Sequence, residues 1–196
     1  MPGFLIVVEG IDGTGKSTQV RLLADALRAD GHHVVTSREP TDGPHGTRLR
    51  QSATTGRLSA EEELELFLKD RREHVETLIQ PTLDAGGIVI LDRYYFSTMA
   101  YQGARGFDPQ SIRELNESFA PRPDLLLVLD LDVDTAHQRI GTRGDTTNEF
   151  EQRDTLTKCR EIFLSLKDED FVKVIDATSD MDTVTERIQD VISQLF

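Results

Sequence analysis

Apolar and polar positions follow two rhythms along this chain: short unbroken apolar runs, and longer stretches with a helical repeat. Residues 4–8 form the first apolar run. Val20, Leu23, Ala24 and Leu27 then recur at i, i+3, i+4 and i+7, which predicts a helix, with Gly31 as its stop. Residues 34–36 read as a second strand, residues 41–45 as a Gly-, Pro- and Asp-rich loop, and residues 46–54 as a short helix. Ser59 followed by Glu62 has the pattern of a capping box. The helix after it carries Leu64, Phe67, Leu68, Arg71, Val75 and Leu78, and the region ends at Gly86-Gly87. Residues 88–91 are a strand of buried type. Asp108-Pro109 opens a helix with Ile112, Leu115 and Phe119 on one face. Residues 125–131 are a strongly apolar strand, and a short helix over 135–140 leads into a polar segment. Leu156, Cys159, Phe163 and Leu166 mark another helix, residues 172–175 a fifth strand, and Met181, Val184, Ile188, Val191 and Leu195 a last amphipathic helix.

Strands this apolar, alternating with helices, predict a parallel sheet covered on both faces. Such α/β sheets bind ligands at the carboxyl ends of their strands. The 196 residues predict one domain. The apolar runs fall far short of the ~20 residues of a membrane helix, and no basic leader precedes the first of them, so the expectation is a cytoplasmic chain without a membrane partner. Cys159 is the one cysteine, which excludes disulfides and cysteine-built zinc sites. Thirty-five acids against 22 bases give a net charge of −13, which argues against a nucleic-acid surface. An anionic ligand has to be drawn by local Arg or Lys, by backbone amides or by Mg²⁺.

Gly10-Ile11-Asp12-Gly13-Thr14-Gly15-Lys16-Ser17 fits G-x-x-x-x-G-K-[ST], between a predicted strand and a predicted helix. Backbone N–H groups of such a loop, including that of Thr18, surround phosphate oxygens. Lys16 reaches the β- and γ-phosphates and the Ser17 hydroxyl ligates Mg²⁺, so the loop by itself predicts a nucleoside triphosphate site with Mg²⁺ as cofactor. Asp12, an acid inside an anion loop, is either a solvated turn residue or a ligand for a sugar hydroxyl or a magnesium-bound water. Asp92-Arg93, just past the strand over 88–91, is either a surface ion pair or a metal-facing carboxylate beside a phosphate clamp. Arg71 lies on the apolar seam of its helix, so its stem snorkels outward or it meets a ligand or a carboxylate.

Taken together these segments resemble the thymidylate kinase family. The resemblance runs through 9–18, Arg38-Glu39-Pro40, Phe67 with Arg71, Asp92-Arg93-Tyr94, the segment 97–102, Arg122-Pro-Asp-Leu125 and Ile175-Asp176-Ala177. It implies a nucleoside-monophosphate-kinase fold, five parallel strands in the order 2-3-1-4-5 with a short lid at about 141–153. It implies transfer of the ATP γ-phosphoryl group to dTMP, and a homodimer, for whose interface the helix of Phe67 and Arg71 is a candidate. It also implies roles. Phe67 stacks on thymine and Arg71 bonds its carbonyl edge, while Ser97, Thr98 and Gln102 line the base pocket. Tyr101 crowds the 2′ position, and Asp12 holds the 3′-hydroxyl. Arg50 and Arg93 bind the monophosphate, Glu39 organises magnesium-bound water beside Asp92, Pro40 shapes the wall, and Arg139 belongs to the ATP side. The chain departs from the pattern in the lid, where Glu149 stands in place of an arginine; Arg143, with Arg153 in reserve, is expected to compensate. The rivals are a kinase of another nucleotide or nucleoside on the same fold, and a non-catalytic nucleotide-binding regulator.

Overall fold

The computed structural model describes residues 3–56, 58–141 and 149–195. Five strands, β1 (Phe4–Glu9), β2 (Val34–Arg38), β3 (Ile88–Asp92), β4 (Leu125–Asp130) and β5 (Val172–Asp176), form one parallel sheet in the order β2-β3-β1-β4-β5. This is the order that the family resemblance implies.

Alternation along each strand divides the interior into two layers. Leu5 and Val7 of β1, Val89 and Leu91 of β3, and Leu126 and Val128 of β4 join one apolar cluster. Ile6, Val8, Ile88, Ile90, Leu125, Leu127 and Leu129 join the other. The second layer is closed by α1 (Lys16–Ala29) and α9 (Met181–Ile192). The first is closed by α5 (Tyr95–Gly103), α6 (Pro109–Glu117) and α8 (Glu149–Leu164), together with the helical stretch after Ser59. The remaining helices are α2 (Pro44–Thr55), α3 (Ala60–His74), α4 (Gln80–Asp84) and α7 (Val133–Gly141).

Ser59 caps α3 as its sequence predicts: its hydroxyl accepts from Glu62 N, and the Glu62 carboxylate accepts from Ser59 N. The helix does not run straight to Gly86. One π-helical turn, Val75–Ile79, separates α3 from α4. Pro81 supplies the reason, because it has no N–H and its ring clashes with the preceding turn, and a widened turn relieves both. Gly31, just past α1, has φ +89, the left-handed conformation of a helix-ending glycine.

Two expectations fail locally. On α6 the buried positions are Ile112 and Asn116, while Leu115 is 43% exposed. And α5 has no forecast in the sequence. Its Tyr95, Phe96, Thr98, Met99, Ala100 and Gln102 are all buried, so the polar face that reveals a helical period is missing.

Cys159 lies on α8 with no exposed surface. Burial pushes its thiol up to about 12, with the Asp12 carboxylate adding to the shift and Arg93 opposing it. The thiolate is the reactive form. Folded protein at pH 8 is therefore expected to resist a disulfide-exchange reagent such as DTNB, and denatured protein to react with one equivalent. Fast stoichiometric reaction of the native protein would contradict this packing.

Candidate active site

β1 ends at Glu9 and the loop to α1 turns on glycines whose conformations exclude other residues. Gly10, Gly13 and Gly15 have φ of +141, +89 and +91. A Cβ on Gly10 would sit 2.5 Å from Leu129 O, and one on Gly13 would sit 2.8 Å from Ala136 O. The loop is therefore pressed against β4 and α7 and free to present its N–H groups at the start of α1. Lys16 folds back over it, donating to Gly10 O at 3.0 Å and Ile11 O at 2.8 Å. Desolvation, with Arg93 second, lowers this ammonium to about 8 against the pull of Asp12, Asp92 and Glu9. The Ser17 hydroxyl donates to Asp92 Oδ2 at the end of β3.

Arg93 joins the two sides of the site. It has φ +71, a left-handed backbone that is uncommon for a residue with a side chain. It pairs with Asp12 Oδ1 and donates to Ser97 Oγ at 3.0 Å. Asp12 faces away from the phosphate loop: its other oxygen accepts from the Tyr101 hydroxyl at 3.0 Å. That resolves how an acid is tolerated inside an anion-binding loop.

Glu9 holds this arrangement. It shares the strand face of Leu5 and Val7, so its carboxylate enters the layer containing α5. Oε1 accepts from Tyr94 N at 2.8 Å and Ser97 N at 2.9 Å, and Oε2 accepts from Ser97 Oγ at 2.6 Å. It thus caps α5 from another strand, immediately beside the strained Arg93. Burial raises the Glu9 carboxyl above its ordinary value, opposed first by Arg93. Glu9 stands in the matched segment 9–18, where nothing in the sequence assigns it a role. The signal was an acid closing the otherwise apolar run FLIVVE.

A cavity of about 190 Å³ opens next to Arg93, lined by Asp12, Glu39, Pro40, Phe67, Arg71, Arg93, Tyr94, Ser97, Thr98 and Tyr101. Nine of the residues expected around an acceptor nucleotide meet here: Asp12, Glu39, Pro40, Phe67, Arg71, Arg93, Ser97, Thr98 and Tyr101, with Ser97 also bonded to Glu9 and Arg93. Arg71 is 1% exposed, so it does not snorkel. Its partner is a carboxylate: Nε donates to Glu39 Oε2 at 2.8 Å, and Nη2 lies 2.6 Å from the same oxygen. The other Glu39 oxygen faces His74 Nδ1 at 3.0 Å, and His74 Nε2 faces Ser37 Oγ at 2.8 Å. Both oxygens of Glu39, expected near a metal-bound water, are thus engaged by Arg71 and His74.

Three expected residues stand back from this wall. Gln102 is buried and its amide nitrogen donates to Glu63 Oε2 at 3.3 Å, while its Oε1 has no hydrogen-bond partner among the described residues. Arg50 donates to Pro40 O at 2.7 Å and pairs with Asp42 at 2.8 Å. Arg153 pairs with Asp134. Arg143 and the side chain of Glu149 lie outside the described residues. Asp70 went unnoticed in the sequence: its carboxylate accepts from Thr41 N at 2.7 Å and Thr41 Oγ1 at 2.6 Å, pinning the loop that follows Pro40.

A second cavity, about 370 Å³, borders the other side of the loop and is lined by Gly13, Thr14, Gly15, Thr18, Gln19 and Arg139 together with Ala177, Ser179, Asp180, Met181 and Val184. Arg139 donates there to Ala177 O at 3.2 Å. Among the described residues no cluster of three His, Cys, Asp or Glu side chains is spaced to hold a metal. Ser17 and Asp92 fit Mg²⁺ in its usual manner, with one carboxylate and a hydroxyl completed by water and phosphate oxygens. No described helix is long and apolar enough to cross a membrane.

The comparisons with known proteins agree with this geometry. The family model described as thymidylate kinase matches residues 8–188. The thymidylate kinase of Xanthomonas euvesicatoria pv. vesicatoria (strain 85-10) is 55% identical over 190 residues, covering 97% of this chain and 83% of that protein. The thymidylate kinase of Xylella fastidiosa (strain M12) is 53% identical over 182 residues, covering 93% and 83%. With a phosphate loop, an arginine bridging it to a pocket, and kinship over almost the whole length, this chain belongs to the thymidylate kinase family.

Proposed function

We propose that this protein, acting as a single kinase unit over residues 1–196, phosphorylates dTMP to dTDP with ATP. The observation that carries the reading is Arg93, which touches the phosphate loop through Asp12 and the pocket through Ser97. A cation there is placed to hold a phosphate between a base in the pocket and a triphosphate on the loop.

In this reading thymine lies on Phe67 with its carbonyl edge at Arg71, beside Thr98 and Gln102. Asp12 takes the 3′-hydroxyl, and Tyr101 fills the space of a 2′-hydroxyl. Arg93 and Arg50 take the monophosphate, Arg50 after leaving Asp42. The purine of ATP occupies the second cavity beside Arg139, with its phosphates on residues 10–18. An oxygen of the dTMP phosphate forms the new bond to the γ-phosphorus as the bond to the β-bridging oxygen breaks, releasing ADP. That nucleophile is already anionic at neutral pH and needs no strong base, so the protein supplies alignment and positive charge. Mg²⁺, held by Ser17 and Asp92, would neutralise charge on the β- and γ-oxygens. Glu39 is assigned to Arg71 in this scheme. Arg143 is the proposed lid arginine, with Arg153 in reserve. A homodimer, on the family resemblance alone, and a cytoplasmic location complete the proposal.

The test is ADP release with dTMP, dUMP, dCMP and AMP as acceptors. The proposal expects the largest kcat/KM with dTMP. Preference for another acceptor would select the rival kinase, and ATP binding without turnover would select the non-catalytic regulator.

A further inference from the structure

Asn116 is the buried residue whose sequence position and surroundings disagree most. It sits inside α6 with no exposed surface, while its neighbour Leu115 is 43% exposed. Asparagine is a poor helix former, and a buried polar side chain is tolerated only when bonded. The position facing the core would be filled more stably by an apolar residue. What the amide does instead is specific. Its Nδ2 donates to Ile112 O at 2.8 Å, which turns Oδ1 toward Arg71, and Arg71 Nη1 donates to that oxygen at 2.6 Å. The reverse orientation would set an N–H against the guanidinium, so chemistry on both sides fixes the amide.

Arg71 is correspondingly held at all three nitrogens. Nε donates to Glu39, Nη1 to Asn116 on α6, and Nη2 to Thr98 Oγ1 on α5 at 3.1 Å. Acceptors on three separate elements fix the plane of a guanidinium, and so the direction of its remaining N–H donors. The Tyr94 ring lies 5.4 Å from the guanidinium carbon and adds a face contact. A donor of fixed direction favours a ring carrying a carbonyl oxygen over one carrying an amino group, because an amino group would set donor against donor.

We propose that Asn116 is a positioning residue for acceptor selectivity: by holding Nη1 it aims Arg71 at the carbonyl edge of the pyrimidine. The inference rests on the reading of Arg71 as the base contact. It is separable from that reading, because Asn116 itself is absent from the cavity wall.

The experiment compares Asn116→Ala, Asn116→Asp and Arg71→Ala in steady-state kinetics with dTMP and dCMP. Asn116→Ala is expected to raise the dTMP KM about tenfold to a hundredfold, the scale of a misplaced binding group. It should cut the preference for dTMP over dCMP and leave the ATP KM and the dTMP kcat within about twofold. Asn116→Asp keeps an acceptor on Nη1 and is expected to restore most of the selectivity. If Asn116→Ala proves unstable, the Asp variant still decides: selectivity as poor as that of Arg71→Ala overturns the proposal. An unchanged dTMP KM in Arg71→Ala overturns the reading of Arg71. A raised KM in Arg71→Ala with wild-type KM and selectivity in Asn116→Ala overturns the positioning role alone. Lower kcat with selectivity intact would make Asn116 a structural residue and equally overturn it.

Discussion

Lys16→Ala is expected to lower kcat by at least about 10²–10³, the usual cost of deleting one preorganised donor that meets charge developing in a transition state. The same change is expected to leave the melting temperature within a few degrees. Lys16 is buried, yet it is buried against loop carbonyls rather than in either apolar layer. Its hydrogen bonds to Gly10 O and Ile11 O offset a desolvation cost that is large enough to bring the ammonium down to about 8. Removing the amine removes both the bonds and the cost. What holds the loop is elsewhere, in the glycine conformations and in the contacts with Leu129 and Ala136. The amine is thus poorly placed for stability and well placed to meet phosphate oxygens above the loop. Turnover within tenfold of wild type would remove the phosphate-loop assignment, whereas loss of the fold would show that the lysine braces the apo loop after all.

The parts of this molecule written in local sequence are those whose physics is local. The phosphate loop is a run of adjacent residues, the Ser59–Glu62 cap spans one helical turn, and the apolar strands declare themselves by composition. Other parts depend on distant partners. Glu9 caps α5 across 85 to 88 residues, and Arg71 finds Glu39, Thr98 and Asn116 at separations of 32, 27 and 45. No periodicity encodes such pairs. The seam position of Arg71 left open whether its stem snorkels outward or meets a partner, and the fold supplies Glu39 as that partner. Helix α5 was hidden for the opposite reason, since burial on nearly every side erases the contrast that a helical period requires. On α6 the core-facing place expected for Leu115 is taken by Asn116, whose partner Arg71 lies 45 residues away and is not visible in the local pattern.

Glu39→Ala is expected to have the largest effect on stability. The carboxylate is 5% exposed and its two oxygens serve Arg71 and His74. Deleting it leaves a guanidinium that is 1% exposed with hydrogen bonds only to neutral acceptors, Asn116 and Thr98. Breaking one side of a buried ion pair typically costs about 3–5 kcal/mol. For a chain of this length that corresponds to a melting temperature lower by roughly 6–20 °C. Glu39→Gln keeps the shape and loses the charge, so it should fall between Glu39→Ala and wild type, near the roughly 1.5–3 kcal/mol of a hydrogen bond to a charged group. The double variant Glu39→Leu/Arg71→Leu separates stability from function. Replacing both charges with apolar side chains removes the unpaired group, and buried pairs so replaced are often neutral or gain about 1–4 kcal/mol. Its melting temperature is therefore expected to lie well above that of Glu39→Ala, while its dTMP KM stays as poor as that of Arg71→Ala. Thermal unfolding of the three variants reads the first quantity, and steady-state kinetics with dTMP read the second. A Glu39→Ala protein melting within about 2 °C of wild type would mean that water or a shifted side chain satisfies Arg71 without its carboxylate, and the ion pair would lose its place as the brace of the base pocket.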